Sequence, residues 1–170
     1  MQTDSSPLLR RIRITILFFM MALALSGITA FPIVWEINTL LPWLNAQNWV
    51  TQYFPDMLAF LNHIHEGVNM MNASYKFIFY GTDWLAFAHI VIAIAFIGPL
   101  KDPVRNKWVI DFGIINCLLI FPLAFIMGPL RDIPLIWRII DCSFGIFGLI
   151  PLFLVRRWIQ ELEIKNSATQ

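Results

Sequence analysis

Four long apolar runs dominate the chain, at about 14–34, 83–100, 108–128 and 137–155. Each is close to the roughly 20 residues a helix needs to cross a bilayer core. They predict four transmembrane helices. Cations fall between the runs. Arg10, Arg11 and Arg13 precede the first, Lys101, Arg105 and Lys107 separate the second from the third, and Arg156, Arg157 and Lys165 follow the fourth. If all four runs span, those nine of the twelve Lys and Arg residues share one side, leaving Lys76, Arg131 and Arg138 for the other. Loop cations are retained on the cytoplasmic side, so the split predicts both termini inside.

The connection from 35 to 82 is the one long loop, on the outer side, and it is not patterned as a linker. It carries Trp35, Trp43, Trp49, Tyr53 and Phe54 with many aliphatics and almost no Ser or Gly. Pro42 is expected to break it early. Pro55 suits the first turn of a new helix, with Asn72 near its end. Met57, Leu61, Ile64, Val68 and Met71 then recur every three or four residues as one apolar stripe. Such a helix should lie on the outer mouth or in the interfacial plane, and the Trp- and Leu-dense segment 35–50 likewise. The expected fold class is therefore all-α: an integral membrane four-helix bundle, N-in and C-in, with one or two amphipathic helices in the outer 35–82 loop. Residues 1–170 are expected to form a single transmembrane domain.

Composition agrees. A mean hydropathy of +0.68 with 14% charged residues excludes a soluble globular domain, which averages about a quarter charged. Net charge +1 without a basic patch excludes nucleic acid as a partner. The lipid bilayer is the expected partner, with a small-molecule or lipid ligand and other membrane subunits as further options. The first run begins like a signal peptide, but its apolar part is too long and Ile28 stands at −3 from Ala30, so an uncleaved helix is expected. The expected location is a bacterial cytoplasmic (inner) membrane.

Cys117 and Cys142 sit at heights that differ by roughly 9 Å in their helices. A disulfide usually holds its Cα atoms about 4.4–6.8 Å apart. That spacing argues against a four-helix, quinone-linked thiol oxidoreductase and for thiols used as small packing residues. Trp35, Trp84, Trp108, Trp137 and Trp158 stand near span ends, where amphipathic rings favour the headgroup level, and none is assigned to a cofactor. Pro122 and Pro151 interrupt the third and fourth helices, freeing the carbonyls of Leu118 and Phe147. Ser143, Gly145 and Gly148 give the fourth helix a low-profile strip for close packing. Gly98-Pro99-Leu100-Lys101-Asp102 and Gly128-Pro129-Leu130-Arg131-Asp132 are similar, about thirty residues apart. They read either as a shared loop chemistry or as an inverted repeat of the transporter type.

Ionisable groups inside lipid cost about 2.5–3.5 kcal/mol each at a helix centre and are functional candidates. They gather toward the outer leaflet: Glu36, Asp83, His89, Arg138 and Asp141, with His63, His65 and Glu66 just above. The inner end offers Asp111, which Lys107 four residues earlier can pair. His89 lies about 9 Å deep if its helix starts at Asp83, and it needs a backbone or carboxylate acceptor or a ligand. Arg138 and Asp141 share a face; local neutralisation is the favoured expectation, and the alternative is that Arg138 holds the carboxylate in a set orientation beside His89. Thr82 or Asp83 can cap the second helix. His63 and His65 stand about 200° apart on a helix and cannot share an ion; His63 and Glu66 face water, and His65 flanks the stripe. A zinc site would need three or four converging ligands that the spacing does not encode. A bis-histidine haem lacks a second imidazole within a span. No nucleophile elbow, phosphate loop or paired-carboxylate signature is present, and no cofactor is identified.

The expected function is an outward-facing polar pocket for a small or lipid-like molecule, with ligand-binding residues His89, Asp141, Arg138, Asp83, His65 and Glu36. The rivals are a membrane-embedded enzyme using His89 and Asp141, a small transporter, and a non-catalytic subunit of a larger membrane complex.

Overall fold

The computed structural model describes residues 6–167. Helices follow one another as α1 (Ser6–Ala30), α2 (Ile33–Asn45), α3 (Asn48–Tyr53), α4 (Pro55–Ser74), a 3-10 turn at Lys76–Ile78, α5 (Phe79–Ala95), α6 (Ile97–Lys101), α7 (Lys107–Leu130) and α8 (Leu135–Ser167). Among the described residues no strand occurs. Four segments are long and apolar enough to cross a membrane: Pro7–Ala30, Lys76–Lys101, Lys107–Leu130 and Leu135–Ser167. The chain is an all-α, multi-pass membrane protein.

Several boundaries differ from the apolar runs. The first helix stops at Ala30 because Pro32 disfavours helical backbone at Phe31 before it. It also starts earlier, so Arg10, Arg11 and Arg13 lie on its first turns. Pro42 does not break the outer loop; it is carried inside α2 at the cost of one backbone donor. The last helix has 33 residues, about 50 Å, more than the roughly 30 Å of hydrocarbon needs. Its extension is amphipathic. Val155, Ile159 and Leu162 are buried at helical spacing, while Arg157 and Glu161 are exposed.

Contacts divide the chain into two compact units, the stretch through Ala24 together with the chain from Val91 onward, and Leu25–Ile90. In the first, α7 packs along α8 over a core of Ile12, Ile16, Phe96, Ile110, Leu152 and Ile159. Glycines set how closely the two helices meet. A Cβ on Gly145 would lie 2.8 Å from the Cys117 carbonyl oxygen, and one on Gly148 would lie 2.7 Å from the Cys117 Sγ. The expected small-residue strip is thus filled by α7, and the Cys117 thiol occupies the space that Gly148 leaves.

One end of this unit is held by charge. Arg13 donates from Nε to the Leu100 carbonyl and from Nη2 to that of Lys101, both at 3.2 Å, covering the unsatisfied end of α6. Lys107 meets Glu163 at 2.7 Å, Arg156 meets Asp111 at 2.5 Å, and Lys165 meets Glu161 at 2.8 Å. Asp111 therefore takes Arg156 across the helix pair, and not Lys107 on its own helix. Lys107 is drawn away by Glu163, on the extension that the apolar runs did not reveal.

The two Gly-Pro-Leu-cation-Asp segments fold differently. Asp102 is extended, and its carboxylate accepts from the Arg105 N–H at 3.0 Å. Asp132 is left-handed, with φ 54°, while the Ile133 N–H reaches back to the Gly128 carbonyl at 2.9 Å. Common letters thus make two unlike turns, and in both segments the Gly-Pro pair lies inside a helix rather than ending it.

In the second unit α2 and α4 run antiparallel. Asn38 pairs reciprocally with Asn69, at 3.2 and 2.9 Å, and Asn45 with Asn62, at 3.4 and 3.5 Å. Each pair sits two turns from the other, so amide clasps supplement the buried Leu41, Leu58 and Leu61. Of the expected α4 stripe, Leu61 is buried and Met57, Ile64 and Val68 are half-buried, whereas Met71 is exposed.

Gly145→Ala and Gly148→Ala should each destabilise the protein by about 1–3 kcal/mol, read as thermal unfolding in detergent. Adding Cys117→Ala, which removes the sulfur and keeps the carbonyl, should restore most of the loss for Gly148→Ala. It should leave the Gly145→Ala loss in place.

Candidate functional site

Helix α5 carries two distinct faces. Ala86, His89 and Ile90 meet α1, where a Cβ on Gly27 would lie 2.7 Å from the Ala86 carbonyl oxygen and 2.9 Å from the His89 Cβ. Ala86 is wholly buried there. His89 Nδ1 donates to the Leu85 carbonyl at 2.8 Å. A carbonyl only accepts, so Nδ1 holds the proton and Nε2 keeps its lone pair in the neutral ring. One nitrogen of His89 is thereby satisfied by its own helix. The residue lies midway between Lys76 and Lys101, deeper than a helix starting at Asp83 would place it.

The other face of α5 bears Tyr80, Asp83, Trp84 and Phe87, spaced i, i+3, i+4 and i+7. With Phe31, from the turn between α1 and α2, they line a shallow groove of about 290 Å³. Trp84 stands perpendicular to both neighbours, with ring centroids 6.0 Å from Tyr80 at 81° and 5.9 Å from Phe87 at 87°. Asp83 is the one acidic residue among the described residues that line it, and the surface of the groove is almost wholly apolar. Asp83 does not cap its helix, because the 3-10 turn lets α5 begin four residues earlier, at Phe79. Nor does Thr82, whose hydroxyl donates to the Phe79 carbonyl at 2.7 Å. Among the described residues no donor or cation meets the Asp83 carboxylate.

Of the six expected ligand-binding residues, Asp83 alone lines this groove. Glu36 lies half-buried in the first turn of α2, and His65 lies half-buried on α4, its carbonyl accepting from Asn69 at 2.9 Å. His63 and Glu66 are exposed, as the helical spacing required. Arg138 and Asp141 belong to the other unit. There the Arg138 side chain lies across Gly128, in the space a Cβ would fill, and its buried Nε has no partner among the described residues. It makes no ion pair with Asp141, so the expected local neutralisation is not formed. Among the described residues no three His, Cys, Asp or Glu side chains are grouped as a metal ion needs.

Tyr80, Phe87 and Phe31 escaped the reading of the sequence, and Trp84 entered it merely as a boundary marker. The signal was present as three aromatics and a carboxylate at helical spacing, masked because neighbouring positions are equally apolar. Comparison with known protein families, curated proteins and solved structures finds no match to this chain.

Gly27→Ala should push α1 off α5 and destabilise the protein by about 1–3 kcal/mol. Gly81→Ala, on the same helix but facing open space, should instead stabilise by about 0.5–1 kcal/mol, the ordinary gain of Ala over Gly inside a helix. Thermal unfolding of the two variants side by side checks the pair.

Proposed function

We propose that this protein binds a small amphipathic or lipid-like molecule in the groove at Asp83. The observation that carries the reading is an apolar groove formed by Tyr80, Trp84 and Phe87 of a membrane-crossing helix with Phe31, which also includes Asp83, whose carboxylate has no partner among the described residues. A polar group of that kind is costly beside lipid unless something complements it. The aromatic rings supply large, stiff contact area for such a molecule. Trp84 and Tyr80 are more than half exposed, so a ligand can reach them from the side.

The reading keeps the expected topology. Arg10, Arg11 and Arg13 lie at one end of α1 and Phe31 just beyond the other, so retention of the cations in the cytoplasm turns the groove outward. A bacterial inner membrane and a single transmembrane domain belong to the same proposal. Glu36 and His65 lie on α2 and α4 and His89 on the face of α5 turned to α1, outside the lining of the groove; Arg138 and Asp141 have no part in it.

The test uses a variant in which Trp84 is the one tryptophan, the other six being Phe. Brominated amphiphiles quench tryptophan on contact. Titration in detergent should show a saturable quenching component, reduced at least severalfold by Phe31→Ala with Phe87→Ala. Quenching that rises in simple proportion to the amphiphile, and equally in both proteins, would overturn the reading.

A further inference from the structure

We infer that the flank of α1 bearing Arg10 and Arg13, together with Lys101 and Arg105, holds the phosphate of an anionic phospholipid. The inference does not rest on the groove. Leu8, Ile12 and Ile16 are buried in the core, which fixes the rotation of the first turns of α1. Arg10, Arg13 and Leu17, at i, i+3 and i+7, then share one flank, and all three are exposed. Arg11 falls on the other flank. There, with Arg157, it lies within electrostatic reach of Glu161, which pairs with Lys165.

Arg13 is already positioned. Its bonds to the Leu100 and Lys101 carbonyls bring the flank against the end of α6 and use two of the five guanidinium N–H groups, leaving three. The turn that follows folds back on α6, because Asn106 Nδ2 donates to the Gly98 carbonyl at 3.2 Å and to that of Asp102 at 2.9 Å. Among the described residues Arg10, Arg13, Lys101 and Arg105 make no ion pair, whereas Lys107, Arg156 and Lys165 each meet a carboxylate. Asp102 is the one acid of the turn, and it is engaged by the Arg105 N–H at 3.0 Å. Four cations beside one carboxylate leave an excess of positive charge that an anion complements. Guanidinium groups grip phosphate through paired N–H donors, and an ammonium adds a point charge.

Depth points to lipid as the source. Arg13 is the last cation before the apolar run 14–34, and Lys101 closes the crossing segment Lys76–Lys101. Both therefore stand at the headgroup level of one leaflet, the cytoplasmic one by the retention of loop cations. Basic pockets between helices on that side take anionic headgroups. Leu17, exposed one turn deeper on the same flank, offers an apolar surface to acyl chains below the phosphate. A free phosphate would meet the cations and leave Leu17 unused.

The full-length protein in detergent is equilibrated with equal amounts of phosphatidylglycerol and phosphatidylcholine of identical chains, repurified, and its retained lipid measured by mass spectrometry. Phosphatidylglycerol should be enriched about tenfold. Arg10→Gln with Lys101→Gln leaves Arg13 on its carbonyls and should cut the enrichment at least severalfold. Arg11→Gln with Arg157→Gln, which removes the same charge from the other flank, should retain it, as should the charge-preserving exchange of Arg10→Lys with Lys101→Arg. Equal retention of the two lipids by the unsubstituted protein would overturn the inference. So would equal losses from the two glutamine pairs, since bulk charge and not the flank would then select the lipid. Glycerol 3-phosphate is added as a competitor in a further arm. Enrichment that persists in its presence supports a lipid occupant, and displacement of the lipid by millimolar competitor would overturn the lipid as the source of the phosphate.

Discussion

Lipid gives helices no hydrophobic reason to associate, so the contacts that join them must come from close backbone approach and from polar groups that find each other. Both devices are visible in the residues that meet. Gly145 and Gly148 admit the backbone and thiol of Cys117, and Gly113 admits the ring of Phe96 and the methyl of Leu152. In the other unit Gly27 admits the backbone of α5 at Ala86. None of these glycines is needed for a turn or a left-handed φ. Each stands where a side chain would hold two helices apart.

Charge does the remaining work at the helix ends. Arg13 answers the free carbonyls of α6, and Glu163 and Asp111 draw Lys107 and Arg156 between α7 and α8. These pairs are about one-third exposed on average, so each contributes at most around 1 kcal/mol. Their importance is geometric. Lys107 and Arg156 also set the register between α7 and α8, and the extension of α8 supplies Glu163 to the first of them. Asn38 with Asn69 and Asn45 with Asn62 act similarly for α2 and α4, where the apolar stripe alone would leave the helices free to slide.

Fold class and the four spans were legible because the apolar runs are long and the cations avoid them. Ends were less so. Pro32 cut α1 short and Pro42 failed to cut α2, two prolines with the same local chemistry and opposite outcomes. The difference lies in the neighbourhood: α2 loses one donor within a helix anchored to α4, whereas Pro32 coincides with a change of direction. Pairings were least legible. Lys107 and Asp111 have ideal spacing on one helix, yet each goes to α8, because Glu163 and Arg156 are supplied by a helix that the hydropathy pattern ends too soon. The individual ionisable residues stood out in the sequence. Which of them would share a void did not, since that depends on helix rotation.

Rotation is also what turns a stripe of residues into a site. A helix in lipid that is apolar all round has little to fix its rotation, and α5 is close to that case. Gly27 supplies the missing constraint by letting Ala86, His89 and Ile90 seat against α1, with His89 tied to Leu85 on the same side. With that face held, Tyr80, Asp83, Trp84 and Phe87 are presented together, Trp84 set edge to face with Tyr80 and Phe87, and Phe31 joins them from the turn after α1. On the proposed reading the groove is arranged before a ligand arrives, so binding need not supply the ordering of the helix. His89 lies on the face of α5 held against α1, about 120° around the helix from Asp83.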